Sequence, residues 1–502
     1  MTRDVLKKFF TYGLGNILQS ALTLILLPLY LRFLSPDEYG VISVLSVTMS
    51  LLGLSISAGV MNGLIRLYYE TDGLERKRLI STTWLWYLAV GIFGGVTLFT
   101  QARPLSAVLF HATHEHAIRI SGVVFFFLML RTVPFYILRL EKKAGQYVTY
   151  SLFSFLVDFA LKLYLIVWLG RGVEGYFESS AIAHLLTVAV MIPIVVKNVS
   201  FSVDLPSPKQ LLKLGFPYVF GGVAVWTLDF SDRLLLNQYS GQSAVGTYAV
   251  AYNFANMFGI LLATPSALLV DPFFFAFAAE RSSADTRRLL QRMLMYSFFA
   301  GGVLYLGIAL SGGEVLRVFA SHFGTKKEYL IAASLIPILT LAPFVYFLVM
   351  PSILGGLWVK NAKIFSVACV CAAILNAGLN FFVIPKFGAP GAAVTTIVAY
   401  LLLFVVSYGG LERVLRGGYE WAKVGRLAVY LMLALGIAWQ VRLGQPMASL
   451  LVRVTVGLLV FASLTLFASD TLKAESSKFR SLFRENSRIF VRRLALLWLP
   501  QK

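Results

Sequence analysis

Charged side chains inside apolar segments are the residues of this sequence with the clearest chemical potential. Asp158 and Lys162 lie one helical turn apart in the middle of one apolar segment. Asp229, Asp232 and Arg233 share one helical face in a later segment. Because a charge inside hydrocarbon is costly, Lys162 and Arg233 are candidates for binding substrate, and the three aspartates are candidates for carrying a coupling ion. A pair of opposite charges four residues apart can also neutralise itself and only make a polar helix tolerable, so both interpretations stay open.

Two arginines add to this set. Arg131 has no acidic residue one turn away in its own segment, so it must face water, another helix or a substrate. Arg66 ends a different segment, where it can bind substrate or extend to the membrane surface. A guanidinium stays charged and holds phosphate through a planar fork of donors. We therefore predict that both arginines bind an anionic substrate.

Uncharged polar residues extend the predicted site. Asn16 and Gln19 share a face of the first apolar segment, and Asn253 and Asn256 share a face of the eighth. We predict that these amides line the same cavity as the cations. No cofactor or metal is expected, because the clustered histidines of residues 111–116 match no common ligand spacing.

The composition predicts the surroundings of these residues. The chain has 502 residues, of which 58% are hydrophobic and only 14% are charged, and its mean hydropathy is +0.77. This composition is far from that of a soluble domain. The apolar runs are continuous over about twenty residues rather than alternating over about ten, which favours spanning helices over a barrel. We therefore predict an all-α integral membrane protein.

About fourteen spans can be delimited in the sequence. They are residues Phe9–Leu31, Gly40–Ile65, Ser81–Thr100, Ala117–Leu138, Tyr147–Leu169, Phe177–Val196, Leu214–Leu236, Ala244–Val270, Met293–Leu310, Leu330–Met350, Ile364–Ile384, Ala389–Ser407, Val424–Gln440 and Met447–Ala468. Lysine and arginine are concentrated in the loops on one side, which predicts the cytoplasmic (inner) membrane with both termini in the cytoplasm. This distribution also explains the net charge of +20 without a nucleic-acid partner.

The turn between the first two spans carries the signals of a helix start. Ser35 can cap the second helix, Pro36 suits its first position, and Asp37 and Glu38 suit its positive end. The sequence Gly40-Val-Ile-Ser-Val recurs as Gly246-Thr-Tyr-Ala-Val, about 206 residues later. The repeat predicts two pseudo-symmetric six-helix lobes around a central cavity. The predicted division is residues 1–200 and 201–408 for the lobes, 409–469 for two additional spans, and 470–502 for a cytoplasmic basic amphipathic tail.

Several of these stretches resemble one family. The sequence Leu29-Tyr-Leu-Arg-Phe-Leu-Ser-Pro-Asp-Glu-Tyr-Gly-Val-Ile-Ser, followed by Gly63-Leu-Ile-Arg66-Leu-Tyr-Tyr, resembles the start of bacterial polysaccharide-export flippases of the O-antigen type. Tyr248-Ala-Val-Ala-Tyr and Pro385-Lys-Phe-Gly-Ala-Pro-Gly-Ala-Ala-Val-Thr-Thr are similar to later landmarks of that family.

The resemblance implies the multidrug/oligosaccharidyl-lipid/polysaccharide exporter fold and a transporter rather than an enzyme. The implied substrate is an oligosaccharide on polyprenyl pyrophosphate, flipped from the inner to the outer leaflet by alternating access. The implied partners are this lipid-linked oligosaccharide, membrane lipids and other polysaccharide assembly proteins. Cationic residues line the cavity in such families, and Arg66 and Arg131 are the positions onto which this role is carried.

Two other functions remain open at this stage. A cation-coupled multidrug antiporter of the same superfamily is the nearer alternative, and its cavity should be acidic or aromatic rather than arginine-bearing. An integral-membrane polysaccharide polymerase or ligase is the more distant alternative. Such enzymes resemble proteins with a large outer loop, and the predicted outer loops of this sequence are short.

The charge asymmetry generates a topology prediction. We expect both termini and the loop Thr71–Arg78 in the cytoplasm, and Gln242 and Lys386 outside. In intact cells, an impermeant thiol reagent should label Gln242→Cys but not Thr71→Cys, and lysis should make Thr71→Cys reactive. Labelling of Thr71→Cys without lysis would contradict the assignment.

Overall fold

The computed structural model describes residues 26–200, 208–361, 363–415, 419–441 and 446–468. Within these ranges the chain is helical and has no β-strand. In chain order the helices are α1 (residues 26–33), α2 (Pro36–Ser57), α3 (Val60–Leu67), α4 (Gly73–Thr100), α5 (Ala102–Phe110), α6 (Glu115–Leu140), α7 (Ala144–Lys162), α8 (Gly172–Asn198), α9 (Pro208–Phe258), α10 (Thr264–Glu280), α11 (Ser283–His322), α12 (Ala332–Trp358), α13 (Lys363–Leu415), α14 (Trp421–Gln440) and α15 (Pro446–Ala468). A π-helical segment, Leu163–Trp168, continues α7.

Eleven segments of the described chain are long and apolar enough to cross a membrane. Two of them contain more than one crossing, because α9 and α13 are each broken by a non-helical glycine. Gly241 has φ 81° and Gly388 has φ 55°, a backbone region that residues with a side chain rarely adopt. Each break coincides with a predicted turn between spans. The prediction of an all-α, multi-pass membrane protein is confirmed.

Some predictions fall on residues outside the described ranges. Most of the predicted first span, with Asn16 and Gln19, precedes residue 26, and the predicted tail follows residue 468.

The start of α2 is built as the sequence predicts. The Ser35 hydroxyl accepts from the Glu38 backbone N–H (3.2 Å), and the Glu38 carboxylate accepts from the Ser35 N–H (2.7 Å). Pro36 occupies the first turn of the helix. This capping box satisfies two backbone donors that the helix itself cannot pair. The capping box fixes the position at which α2 begins. It thereby also fixes the orientation of Tyr39, the residue after Glu38.

Each half is held together by contacts among its own helices. In the N-terminal half (residues 26–200), α6 packs against α4 and α8, and α7 packs against α8. In the C-terminal half (residues 208–415), α13 packs against α9 and α12, and α12 packs against α11. The halves meet where α2 and α3 lie along α9. The pair α14 and α15 packs against α11.

A buried carboxylate joins α15 to α11. Glu314 of α11 is 3% exposed and forms ion pairs with Arg317 (2.5 Å) and with Arg453 of α15 (2.7 Å). Arg453 also donates through Nε to the Val441 carbonyl at the end of α14 (2.5 Å). The Arg453 side chain is only 15% exposed, whereas the Arg317 side chain is 53% exposed. Arg453 therefore depends on Glu314 for compensation of its charge.

This cluster predicts that loss of Glu314 destabilises the protein more than loss of Arg317 does. Glu314→Ala leaves Arg453 without a carboxylate, and breaking such a buried pair costs about 3–5 kcal/mol. Arg317→Ala removes an exposed partner and should cost less than about 1 kcal/mol. Thermal unfolding of the detergent-solubilised variants should show a clearly lower Tm for Glu314→Ala only. Equal Tm values for the two variants would show that the buried pair contributes little.

Candidate functional site

The N-terminal half contains one paired and one unpaired interior cation. The paired one is Lys162, whose Nζ lies 2.5 Å from Asp158 Oδ2 and 4.0 Å from the ring centroid of Tyr176. Ser180 of α8 donates to the other oxygen of Asp158 (3.0 Å). Lys162 is 5% exposed, so a fully buried ammonium is held between a carboxylate and an aromatic face. The predicted self-neutralising pair forms.

Arg131 is the unpaired cation. It lies three residues before Pro134 in α6, and its Nη1 donates to Ser154 Oγ of α7 (3.0 Å). Its guanidinium carbon lies 5.9 Å from the Phe135 ring centroid. Within the described ranges no carboxylate oxygen lies within 4.0 Å of it. Arg131 is therefore a cation without a direct ion pair among the described residues, in the same half as the neutral Asp158–Lys162 pair.

In the C-terminal half, tyrosine hydroxyls donate hydrogen bonds to the interior carboxylates. Asp229 accepts from the hydroxyls of Tyr400 (2.6 Å) and Tyr252 (3.4 Å). Asp232 is 1% exposed and accepts from the Tyr248 hydroxyl, while its Oδ1 is buried and has no hydrogen-bond partner among the described residues. Among the described residues, Asp229 and Arg233 do not approach within the 4.0 Å of a direct ion pair, although the charge of Arg233 still acts on both carboxylates. The hydrogen bonds to the carboxylates come from phenols.

Arg233 is held by aromatic rings. Its guanidinium carbon lies 4.5 Å from the Tyr252 ring centroid and 5.0 Å from that of Phe230. The residue is 7% exposed, and its Nε is buried without a hydrogen-bond partner. In the part of the chain that the structure describes, no carboxylate lies within ion-pair distance of it. Cation–π contact therefore orients a guanidinium whose donors are not all used.

Tyr39 connects the two halves. Asn253 Nδ2 of α9 donates to the Tyr39 hydroxyl (2.8 Å), a hydrogen bond between residues more than 200 positions apart. Lys162 from one half and Arg233 from the other both act electrostatically on this hydroxyl. The Tyr39 ring also lies 6.3 Å from the Tyr30 ring between centroids. Of the predicted residues, Asn253 thus contacts Tyr39 directly, and the charges of Lys162 and Arg233 reach the same hydroxyl from the two halves.

Two predicted residues lie apart from this cluster. Arg66 is exposed in the last turn of α3, where a cation suits the negative end of the helix, and among the described residues its side chain forms no hydrogen bond or ion pair. Asn256 is exposed on α9, one turn beyond Asn253.

The residues that sequence reasoning missed are the tyrosines. Five of them contact the interior charges or bridge the halves: Tyr39, Tyr176, Tyr248, Tyr252 and Tyr400. In the sequence, Tyr248 and Tyr252 share a helical face, and Tyr39 belongs to the Ser-Pro-Asp-Glu-Tyr-Gly motif. The chain has 23 tyrosines, so their type alone does not single these out. Among the described residues, no group of three or more His, Cys, Asp or Glu side chains could hold a metal ion.

Fold and site together define a multi-pass helical membrane protein with cations, carboxylates and tyrosines gathered where its two halves meet. Residues 30–321, more than half of the chain, match the family described as "Polysaccharide biosynthesis protein". The chain belongs to this family.

Two curated relatives show similarity over part of the chain. The "Succinoglycan biosynthesis transport protein ExoT" of Rhizobium meliloti is 22% identical over 254 residues, which are 51% of this chain and 49% of the relative. The chain thus matches about half the length of ExoT. The "Probable flippase AglR" of Haloferax volcanii is 24% identical over 362 residues, 68% of this chain and 69% of the relative.

Solved structures show the same fold at low identity. The lipid II flippase MurJ in its inward closed conformation matches with a TM-score of 0.69 at 16% identity, covering 93% of this chain and 98% of that one. An inward-facing multidrug resistance MATE family transporter of the MOP superfamily matches with a TM-score of 0.63 at 14% identity, covering 81% and 95%. The chain therefore has the fold of this superfamily.

Proposed function

We propose that this protein flips a polyprenyl-pyrophosphate-linked oligosaccharide from the inner to the outer leaflet of the cytoplasmic membrane. The observation that carries the proposal is the presence of two interior arginines, Arg131 and Arg233, without ion-paired carboxylates in a polysaccharide biosynthesis protein. The names of two relatives, a succinoglycan transport protein and a probable flippase, support transport of a glycan. The fold supports alternating access between two lobes, and the proposed role is that of a transporter rather than an enzyme.

The charges fit the demands of such a substrate. A pyrophosphate-sugar head group is anionic and polar, so it cannot enter hydrocarbon without partners. An arginine with unused donors can give charge-assisted hydrogen bonds to phosphate in a bidentate geometry. Arg131 and Arg233 have that capacity as they stand, and Lys162 would gain it if Asp158 were displaced or protonated. The polyprenyl chain would remain in the surrounding lipid.

The remaining predicted residues take roles along the same path. Arg66, near the predicted cytoplasmic end, would receive the head group first, and the amides would hydrogen-bond to the sugars. These amides are Asn16, Gln19, Asn253 and Asn256. Asp158, Asp229 and Asp232 are proposed to couple transport to an ion gradient, with Asp232 favoured by its unpartnered Oδ1.

The lobes would comprise residues 1–200 and 201–408, both termini would lie in the cytoplasm, and other polysaccharide assembly proteins would supply and receive the glycan.

A second candidate is a cation-coupled multidrug antiporter of the same superfamily. The observation that favours it is the pair of buried carboxylates, Asp229 and Asp232, among tyrosines, since an organic cation would be drawn to such a surface. The two functions respond oppositely to removal of an interior arginine. Transport of an anion should fall, whereas transport of a cation should be unchanged or improved.

The test is a charge series at Arg131 in a strain that lacks its own copy of this protein. One charge-assisted hydrogen bond contributes about 1.5–3 kcal/mol, or roughly ten- to hundredfold in affinity. At equal protein level, surface polysaccharide should therefore decrease in the order Arg131, Arg131→Lys, Arg131→Gln, Arg131→Glu, while lipid-linked oligosaccharide accumulates inside. The same series at Arg66 tests its role as the entry residue.

The matched control is Arg119→Gln on the same helix. Arg119 is exposed and paired with Glu115 at 2.5 Å, so its loss should leave transport unchanged. If Arg131→Gln supports as much surface polysaccharide as the parent, Arg131 is a structural charge and the proposed site is wrong. If the same variant instead raises resistance to cationic drugs, the antiporter is the better assignment.

A further inference from the structure

The two halves touch backbone to backbone at one end of α2. A β-carbon at Gly40 would lie 2.0 Å from the carbonyl oxygen of Gln242, and one at Gly246 would lie 1.9 Å from that of Pro36. No side chain other than hydrogen fits at either position, so α2 and α9 approach more closely here than helices with side chains can. This pair of approaches is called the outer glycine contact, because the predicted topology places it outside.

The outer glycine contact obeys the internal repeat. Gly40 and Gly246 are separated by the same number of residues as Pro36 and Gln242. Gly40 contacts Gln242, and its equivalent Gly246 contacts Pro36, the equivalent of Gln242. The two copies of the repeat therefore make the same contact with each other, as in an isologous interface about a two-fold axis. The repeat detected in the sequence is therefore realised as a physical contact between its two copies.

A second backbone contact lies at the other end of α2. A β-carbon at Gly215 would lie 2.0 Å from the Gly59 carbonyl oxygen, and one at Gly63 would lie 2.4 Å from that of Leu211. Gly59 follows Ala58 in the left-handed region (φ 72° and 51°), which separates α3 from α2 and lets the chain meet α9. This pair of approaches is called the inner glycine contact. It lies about 19 residues, or roughly 28 Å of helix, from the outer one.

The candidate site lies between these two contacts. Tyr39, which bridges the halves, is adjacent to Gly40 at one end. Trp226 Nε1 of α9 donates to Ser50 Oγ of α2 (2.8 Å) part-way to the other end. Asp229, Asp232 and Arg233 lie in α9 between Gly215 and Gln242, so the two glycine contacts hold the halves together on either side of these charges.

We propose that the two glycine contacts are the two closures of the transport path, and that a single β-carbon at either one opens that face alone. At about 2 Å from a carbonyl oxygen, a methyl group cannot be accommodated by rotamer changes, because the obstructing atom is backbone. The helices must therefore separate at that end, and they do so by tilting as rigid bodies rather than by bending at one residue. Alanine at Gly215 and at Gly246 should therefore have opposite effects on the conformational equilibrium.

Distances between spin labels on the purified full-length protein measure this directly. One label pair, at Leu74 and Glu280, reports the inner end, and another, at Arg103 and Phe387, reports the outer end; all four residues are exposed. Cys369→Ala and Cys371→Ser remove the native thiols. Gly215→Ala should lengthen the inner distance only, and Gly246→Ala should lengthen the outer distance only. The control is Gly221→Ala in α9, where a β-carbon meets nothing within 4 Å, and both distances should be unchanged.

If either variant is not recovered as a monodisperse protein, a second glycine of the same contact replaces it. Gly63→Ala replaces Gly215→Ala at the inner glycine contact, and Gly40→Ala replaces Gly246→Ala at the outer one. The proposal is overturned if both variants lengthen the same pair, or if neither lengthens any distance relative to Gly221→Ala. It rests on alternating access but needs no substrate. A failed polysaccharide assay would thus reject the proposed function while leaving this result intact.

Discussion

The cost of charge inside hydrocarbon is the constraint on which this structure depends. The protein keeps several ionisable groups in its interior and compensates them in two ways. Lys162 forms an ion pair with a carboxylate and contacts a tyrosine ring, whereas Arg233 contacts two aromatic rings and has no direct ion pair among the described residues, because the neighbouring carboxylates accept hydrogen bonds from phenols. Aromatic compensation leaves hydrogen-bonding capacity unused, which direct ion pairing does not. An interior built in this way can accept an anion without first breaking a strong pair.

The fold places these groups through local devices. The capping box at Ser35 fixes the start of α2 and so aims Tyr39 at the other half of the chain. The glycine at position 40 then lets α2 approach α9 closely enough for Tyr39 to bond to Asn253. A short signal in the sequence, Ser-Pro-Asp-Glu-Tyr-Gly, therefore determines both how a helix begins and how two halves of the protein meet.

Much of the fold could be predicted because its causes are local. Continuous hydropathy predicts spans, and Ser35, Pro36 and Glu38 predict a helix start, since each acts within one or two turns. The Asp229–Arg233 spacing shows the limit of this reasoning. Four-residue spacing permits an ion pair, but Tyr400 and Tyr252 compete for the carboxylate from elsewhere in the fold. Similarly, nothing near Arg453 in the sequence indicates that Glu314 is its partner. Such pairings are set by tertiary packing, which a single sequence does not encode as a pattern.

The central claim is that this interior carries an anionic, lipid-linked head group across the bilayer. Proteoliposomes containing the purified protein test it most directly, with two labelled oligosaccharide lipids that share one polyprenyl tail. One lipid carries a pyrophosphate link and the other a neutral link. The account predicts that the protein exposes the pyrophosphate lipid in the opposite leaflet faster than protein-free liposomes do, and leaves the neutral lipid at the protein-free rate. Equal acceleration of both lipids, or of neither, would contradict it.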